Sequence, residues 1–305
     1  MAEKKSLLLL GSTGFLGSAV MERLKSEHLV DWEILISRSS SPENPIPFIL
    51  LNSDLEPGAA FDFLNFSQLQ NKDLVVINCA SSRNSRNEES SQQGNFEYPK
   101  RILELLVNAR DIRIRWIQIE TYWQYSKTII PDASYVLWKN RFSALLTESS
   151  RNENLVIEKL ALPHLIGPFD DLSRFLPKLF SKLVKNESTV VNSPDEGFYL
   201  ADVRDVANYL IRTLNDIKAN QDLAARLFPF YELPLREIVQ RFVRTVSSES
   251  NVKFEGASKN SNPILTPTEQ PPMLESSHQI LRSLESTFSD IALWLSGLQP
   301  IDNLQ

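Results

Sequence analysis

One cysteine, three histidines and nine glycines are few for a chain of 305 residues. Cys79 stands alone, which excludes an internal disulfide and a thiolate metal cage and fits a reducing compartment, so a cytoplasmic location and no metal are expected. Clustered cations are missing as well. With 32 Lys and Arg against 38 Asp and Glu, a net charge of −6 and no basic run, the chain is not expected to bind a nucleic-acid backbone. Long apolar runs are also wanting. Leu7 to Leu10 follows Lys4-Lys5 as in a signal peptide, but it is too short and breaks at once into Gly-Ser-Thr-Gly. Nothing else approaches a membrane span, and no membrane partner is expected. The length allows one large domain with a smaller appendage, or two domains.

Three of the nine glycines fall in one stretch, Gly11-Ser12-Thr13-Gly14-Phe15-Leu16-Gly17. It follows the apolar run Leu7 to Leu10 and precedes Val20, Met21 and Leu24 at helical spacing, which reads as strand, glycine turn, helix. Gly11 permits a sharp turn, Gly14 leaves a pyrophosphate unobstructed, and Gly17 allows the helix close packing. The helix N-terminus then offers free N–H groups to phosphate. Thr13, Phe15 and Leu16 complete this cofactor loop.

Further apolar runs alternate with helical patterns. Trp32 to Ile36 reads as a second strand, and its end carries Ser37-Arg38-Ser39 where an acid would select NAD. A guanidinium flanked by hydroxyls suits a 2′-phosphate, so NADP(H) is the preferred cofactor, with NAD(H) possible. A third strand, Phe48 to Leu51, leads to Asp54-Leu55, where Asp54 could accept from the adenine amino group. Asp73 to Ser81 is a fourth strand; the small residues Ala80, Ser81 and Ser82 at its end, with Cys79 before them, leave room for cofactor. Ser81 to Gln93 reads as a polar loop over the site. Asn95 to Ala109 reads as a helix apolar on more than one side, one side on the sheet and one toward a partner subunit. Ile114 to Ile119 is a fifth strand ending at Glu120-Thr121. A helix follows from near Ser134, a plausible N-cap, to about Glu148. Leu155 to Leu160 is a sixth strand. This alternation predicts an α/β fold, a Rossmann doubly wound parallel sheet. Beyond Pro163, helices are expected at 174–185, 203–214 and 235–245, and a closing amphipathic helix at 280–295. The proline-rich stretch Lys259 to Ser277 reads as a connector.

Tyr135 and Lys139 lie four apart, on one helix face, and Tyr135 alone among the seven tyrosines has Lys at that offset. A phenol ionises near pH 10, so proton transfer at neutral pH needs roughly 4 kcal/mol of preferential stabilisation of the phenolate. An adjacent ammonium and an oxidised nicotinamide can supply it. Thr121, at the end of the preceding strand, can hydrogen-bond the same reacting oxygen. The three residues compose a hydride-transfer site that needs no metal. Tyr122, Trp123 and Tyr125 either line a substrate pocket or pack. Arg174 and Arg226 are candidates for a substrate diphosphate, and Arg83 is a further candidate at the substrate site.

With these residues assembled, the chain resembles the extended short-chain dehydrogenases/reductases, in particular the NAD-dependent epimerase/dehydratase family that acts on nucleotide-activated sugars. The resemblance covers about residues 6 to 215. Its carriers are the three glycines, the strand Val75 to Ala80, Asn95, Thr121, Tyr135 with Lys139, Leu165-Ile166-Gly167-Pro168, and Asp202 to Ala207. It implies that Thr121, Tyr135 and Lys139 are the catalytic triad and that Lys139 also holds the nicotinamide ribose. Pro163 and His164 are implied beside the nicotinamide, with His164 where many relatives have Asn. It implies a Rossmann domain over 1–164, rejoined by 198–216, and a smaller C-terminal substrate-binding part over 165–197 and 217–305. A homodimer through the helices near Asn95 and Tyr135, burying Phe142, Leu145 and Leu146 or their neighbours, is implied as well. Dehydratases of this family follow the Thr with Asp-Glu; here Tyr122-Trp123 follows. The stretch Ile117 to Trp123 is more similar to the branch of CDP-abequose synthase and related 4-ketosugar reductases. The expected activity is NADPH-dependent reduction of a nucleotide-linked 4-ketosugar. A nucleotide-sugar epimerase holding NAD tightly, and a non-catalytic NADP(H) sensor, remain alternatives.

Overall fold

The computed structural model describes residues 5–27, 32–37, 48–51, 57–61, 73–83, 88–109, 112–126, 133–214, 222–256, 271–274 and 281–297. Four consecutive leucines set its centre. In β1 (Lys5–Leu10), Leu7 and Leu9 face one apolar cluster, Leu8 and Leu10 face another, and all four are fully buried. A strand covered on both faces needs no polar alternation, and each leucine withdrawn from water contributes about 1.5–3 kcal/mol. Helix α1 (Phe15–Ser26) then lays Leu16, Val20 and Leu24, spaced by four, against the first cluster.

β1 is flanked by β2 (Trp32–Ser37) and β5 (Asp73–Asn78), both parallel to it. β6 (Arg113–Thr121), β7 (Leu155–Leu162) and β11 (Asp222–Leu227) continue the parallel set outward from β5. Beyond β2, β3 (Phe48–Leu51) and β4 (Pro57–Phe61) are antiparallel. The eight-stranded order is β11-β7-β6-β5-β1-β2-β3-β4. The third strand therefore enters as an antiparallel edge ribbon, while the six-stranded centre is the expected parallel Rossmann sheet. The order reverses beside β1, between β2 and β5, and the crevice at the carboxyl ends of such strands is where this architecture binds ligands.

On the second face lie α2 (Glu88–Gln92), a π-helical turn (Gln93–Glu97), α3 (Tyr98–Val107) and α4 (Ala133–Ser149). The segment read as loop to Gln93 is helical from Glu88. Periodicity could not show it, because Ser91 is the only buried residue of α2. The widened turn has a visible cause: Asn95 Nδ2 donates to the carbonyls of Ser91 and Ser82, both at 2.7 Å, tying the helix to the chain leaving β5. Ser134 is not an N-cap but the second residue of α4. Phe142 and Leu146, expected at a subunit contact, are 1% and 0% exposed inside the cluster under β5 and β6, so the monomer has already used that apolar face.

A three-stranded sheet, β12-β10-β8, is built from β8 (His164–Ile166), β10 (Gly197–Asp202) and β12 (Tyr231–Pro234). Helices α5 (Phe175–Val184), α7 (Leu235–Val246) and α8 (Leu284–Leu295) close a separate apolar core with it. Phe180 stacks on Phe242 at 4.1 Å between centroids, and Phe288 meets both edge-on. A two-stranded pair joins β9 (Thr189–Asn192) to β13 (Val252–Glu255). Helix α6 (Val203–Thr213) packs Val203, Val206, Ala207, Leu210 and Ile211 into the cluster of Leu7 and Leu9. Asp202 caps it, and Arg204 forks between Asp202 and Asp290 of α8 at 2.6 Å each, which pins the closing helix. Most of the proline-rich stretch Lys259 to Ser277 lies outside the described residues.

Candidate active site

The glycine turn is shaped by contacts that only a missing side chain allows. Gly11 has φ +74°, and a Cβ there would stand 2.7 Å from the backbone of Ala80. A Cβ on Gly17 would lie 2.0 Å from the Gly11 carbonyl oxygen, so its close packing is against the turn itself rather than the sheet. Gly14, which precedes α1, would meet only the Gly11 oxygen, at 3.4 Å. An open cradle of this kind beside exposed Thr13, at a helix N-terminus, fits a dinucleotide pyrophosphate. Phe15 is half-buried and Leu16 is core. Cys79 and Ala80 leave β5 beside Gly11, with Ser81 exposed after them. Burial pushes the Cys79 thiol up to about 12, so it remains a neutral packing group. Arg38, Asp54 and Leu55 lie outside the described residues, and of Ser37 only the backbone is described.

Thr121 ends β6 and caps the short turn Tyr122–Tyr125. Its Oγ accepts from Trp123 N at 3.4 Å, and its N–H donates to Gln124 Oε1 at 3.0 Å. The hydroxyl proton is then left to donate elsewhere. Tyr135 and Lys139 face inward from the first turns of α4, both buried, with the ammonium 5.5 Å from the phenol ring centroid. Lys139 Nζ donates to the Ile119 carbonyl at 3.0 Å, two residues before Thr121. The structure thus brings the β6 terminus and the α4 face together around one point.

An aromatic wall surrounds that point. Trp123 meets Tyr135 edge-on at 6.5 Å and His164 at 5.5 Å. Tyr122 shares a 2.8 Å hydrogen bond with His164 Nδ1. Burial, reinforced by the cations Arg83 and Arg174, pushes His164 down to about 3, so it is neutral at physiological pH. Burial raises the Tyr122 phenol above its ordinary range. The Arg83 guanidinium covers both Trp123, at 4.6 Å, and Tyr135, at 5.5 Å. Pro163 is buried between β7 and β8. Arg174 lies 6.0 Å from the Phe15 ring and bonds Asp170 at 2.6 Å, so it stands beside the glycine turn. Arg226 is exposed on β11, the end strand of the large sheet.

Sequence reasoning missed the polar residues beneath the site. Asn78 and Gln118, 1% and 3% exposed, are hydrogen-bonded to each other at 2.9 Å across β5 and β6. Their signal was available: each is an amide in a run of otherwise apolar strand residues. Asp170, the partner of Arg174, had none.

The model of the NAD dependent epimerase/dehydratase family matches residues 7–224. No curated protein matches the chain by sequence. Among solved structures, the chain is similar to RMD from Pseudomonas aeruginosa complexed with NADPH, with TM-score 0.67 and 15% identity over 97% of this chain and 100% of that one. It is similar to a UDP-N-acetylglucosamine 4-epimerase from Methanobrevibacter ruminantium M1 in complex with UDP-N-acetylmuramic acid, with TM-score 0.71 and 16% identity over 97% and 99%. A GDP-L-fucose synthetase from Naegleria fowleri superposes with TM-score 0.68 and 14% identity over 97% and 95%. At these identities the likeness is one of fold.

Proposed function

The chain belongs to the NAD dependent epimerase/dehydratase family, and from that premise we propose that it is an NADPH-dependent reductase of a nucleotide-activated 4-ketosugar. The observation that carries this reading is the convergence of buried Thr121, Tyr135 and Lys139 at the carboxyl end of β6. When bound, the nicotinamide supplies hydride to the substrate carbonyl carbon. Gly11, Thr13, Gly14, Phe15, Leu16 and Gly17 would hold the pyrophosphate, Cys79, Ala80, Ser81, Pro163 and His164 would flank the dinucleotide, and Lys139 would hold the nicotinamide ribose. Tyr135 gives its proton to the carbonyl oxygen, Thr121 donates a hydrogen bond to that oxygen as charge develops, and the Lys139 ammonium stabilises the phenolate left behind. Arg83, Tyr122, Trp123 and Arg174 line the substrate side. Residues 165–197 and 217–305, apart from β11, make the substrate-binding part; of the expected return 198–216, β10 pairs with β8 and β12 in the smaller sheet, and it is α6 that packs back on the dinucleotide core.

The two positions after Thr121 carry aromatic rings, one bonded to a neutral imidazole, and this favours ketoreduction over elimination of water, which needs an acid and a base there. A nucleotide-sugar epimerase would use the same triad and retain NAD; a sensor would bind NADP(H) without turnover. Absorbance of the purified protein separates them: co-purified NAD favours the epimerase, and an empty site that takes up NADPH favours the other two. NADPH oxidation against a panel of nucleotide 4-ketosugars then tests the reductase. Absence of turnover across the panel, with NADPH bound, would leave the sensor.

Cofactor choice is assigned to Arg38, with Ser37, Asp54 and Leu55 as further candidate cofactor residues. Arg38→Asp should weaken NADPH at least about tenfold more than NADH, because it removes a charge-assisted bond to the 2′-phosphate and adds repulsion. Equal losses in fluorescence titrations with the two cofactors would overturn the assignment.

For assembly, the reading is a homodimer through the outward faces of α3 and α4, where Leu137 is 43% exposed and Ala144 is exposed. Light scattering at micromolar concentration should give twice the chain mass of 34.8 kDa. A mass of one chain would rule the dimer out.

A further inference from the structure

Below the proposed catalytic point, a buried set of hydrogen bonds runs in one direction only. Gln118 Oε1 accepts from Trp116 Nε1 at 3.1 Å and from Asn78 Nδ2 at 2.9 Å. An indole N–H can only donate, so the carboxamide oxygen must face Trp116 and its nitrogen must face away. That nitrogen donates to the Ile119 carbonyl at 2.9 Å, the same oxygen that receives Lys139 Nζ at 3.0 Å. At the other end, Ala80 N–H donates to Asn78 Oδ1 at 3.1 Å, which fixes the Asn78 amide in turn. The Ile119 carbonyl lies one residue past the last β5–β6 pair, Asn78 with Gln118.

We propose that Gln118 is a positioning residue for Lys139, acting through the Ile119 carbonyl, and that with Asn78 it couples the ammonium to the turn that packs on Gly11. This rests on the reading of Tyr135 and Lys139 as the reacting pair. A carbonyl oxygen has two lone pairs, and Gln118 and Lys139 each take one. With Gln118 in place the ammonium has a single acceptor direction on this oxygen. One of its three N–H groups is thereby committed, and two remain for the phenol oxygen and the cofactor ribose. Without the amide donor the ammonium gains a second resting position, and its alignment with Tyr135 loosens. Because Ala80 also lies against the glycine turn, a displacement there reaches Lys139 through groups with no alternative pairing.

The test compares Gln118→Met, which keeps the volume and loses both amide functions, with the wild-type chain. For each, NADPH affinity is measured by fluorescence, which needs no substrate, and the pH profile of turnover is recorded with any productive 4-ketosugar. Gln118→Met should weaken NADPH about threefold to tenfold and displace the alkaline limb of turnover by about half a pH unit or more. If Gln118→Met does not fold, Gln118→Glu serves: it keeps an oxygen for Asn78 and Trp116 but turns a second oxygen toward the Ile119 carbonyl, and it must move the limb and the affinity as well. A folded Gln118 variant with wild-type affinity and an unmoved limb overturns the proposal. Tyr135→Phe is run beside them. Normal turnover in that variant would bring down the catalytic reading itself, whereas silent Gln118 variants beside an inactive Tyr135→Phe would remove the positioning role alone.

Discussion

Gly17→Ala should lose NADPH binding by at least about a hundredfold, a change of about 2.7 kcal/mol, and should lower the melting temperature by several degrees. The added methyl would stand 2.0 Å from the Gly11 carbonyl oxygen and 2.8 Å from both the Gly11 carbonyl carbon and Ser12 Cα. All three are backbone atoms of a turn that cannot give way, since Gly11 is itself pressed against Ala80. The first turn of α1 must therefore lift, and its N–H groups lose their aim at the phosphates. Lifting α1 also opens the contacts of Leu16, Val20 and Leu24 with the sheet, and overpacking of this kind typically costs about 1–3 kcal/mol. Gly14→Ala is the useful contrast. Its methyl meets one atom at 3.4 Å, ordinary contact, so the melting temperature should hold while NADPH binding falls, because the methyl fills the cradle rather than the fold. Thermal melts and fluorescence titrations of the two variants separate folding from binding. Wild-type NADPH affinity in Gly17→Ala would refute the role given to this turn.

The parts of the fold that were legible in the sequence are those where local pattern and burial coincide. The leucines of β1 and the glycines after them read correctly because a two-faced strand and a sharp turn each leave a compositional trace. The same holds for α5, α6 and α7, whose apolar stripes match their buried residues. Where burial is slight, the trace vanishes. α2 buries Ser91 alone, and β12 and β13 are four residues long with only half-buried and exposed positions. β11 is the end strand of the large sheet, paired with β7 and bridged at Leu227 to Met273, and its Asp222 and Arg226 broke the apolar run that would have marked it. The direction of β3 is set by how it pairs with β2 and β4 in space, which residue type does not record.

At the candidate site, the shared helix face of Tyr135 and Lys139 was legible because a spacing of four on a helix is a statement about space. Their surroundings were less so. His164 could be named as the residue in place of Asn, but its neutrality follows from burial, reinforced by Arg83 and Arg174, which approach it from two other segments of the chain. Two of the residues expected at a subunit contact, Phe142 and Leu146, were misassigned for a related reason. Phe142 and Leu146 are apolar on α4, and only the packing of β5 and β6 against that helix reveals that the monomer buries them.

The larger expected effect belongs to proton transfer. Tyr135→Phe should reduce turnover by about 10²- to 10⁴-fold, the range of general acid catalysis, and leave NADPH affinity nearly intact, because the phenol hydroxyl acts on the reacting oxygen alone. Lys139→Met should harm both, since the ammonium lies 5.5 Å from the phenol ring and is also the proposed partner of the nicotinamide ribose. It would also leave the Ile119 carbonyl with the Gln118 donor and no other side-chain partner among the described residues. Thr121→Val should preserve cofactor binding and lower turnover by about 10²-fold, the worth of one hydrogen bond to a developing oxyanion, about 2.7 kcal/mol. Thr121 Oγ already accepts from Trp123 N, so valine also loosens the Trp123 ring, and part of the loss should appear in KM. The three groups serve one transition state, so Tyr135→Phe with Thr121→Val should fall short of the product of the single losses. Kinetics of the single and double variants on one productive 4-ketosugar, with NADPH titrations alongside, decide the matter. Full multiplicativity would mean that Thr121 and Tyr135 act on different steps, and near-normal turnover in Tyr135→Phe would move the acid to another group.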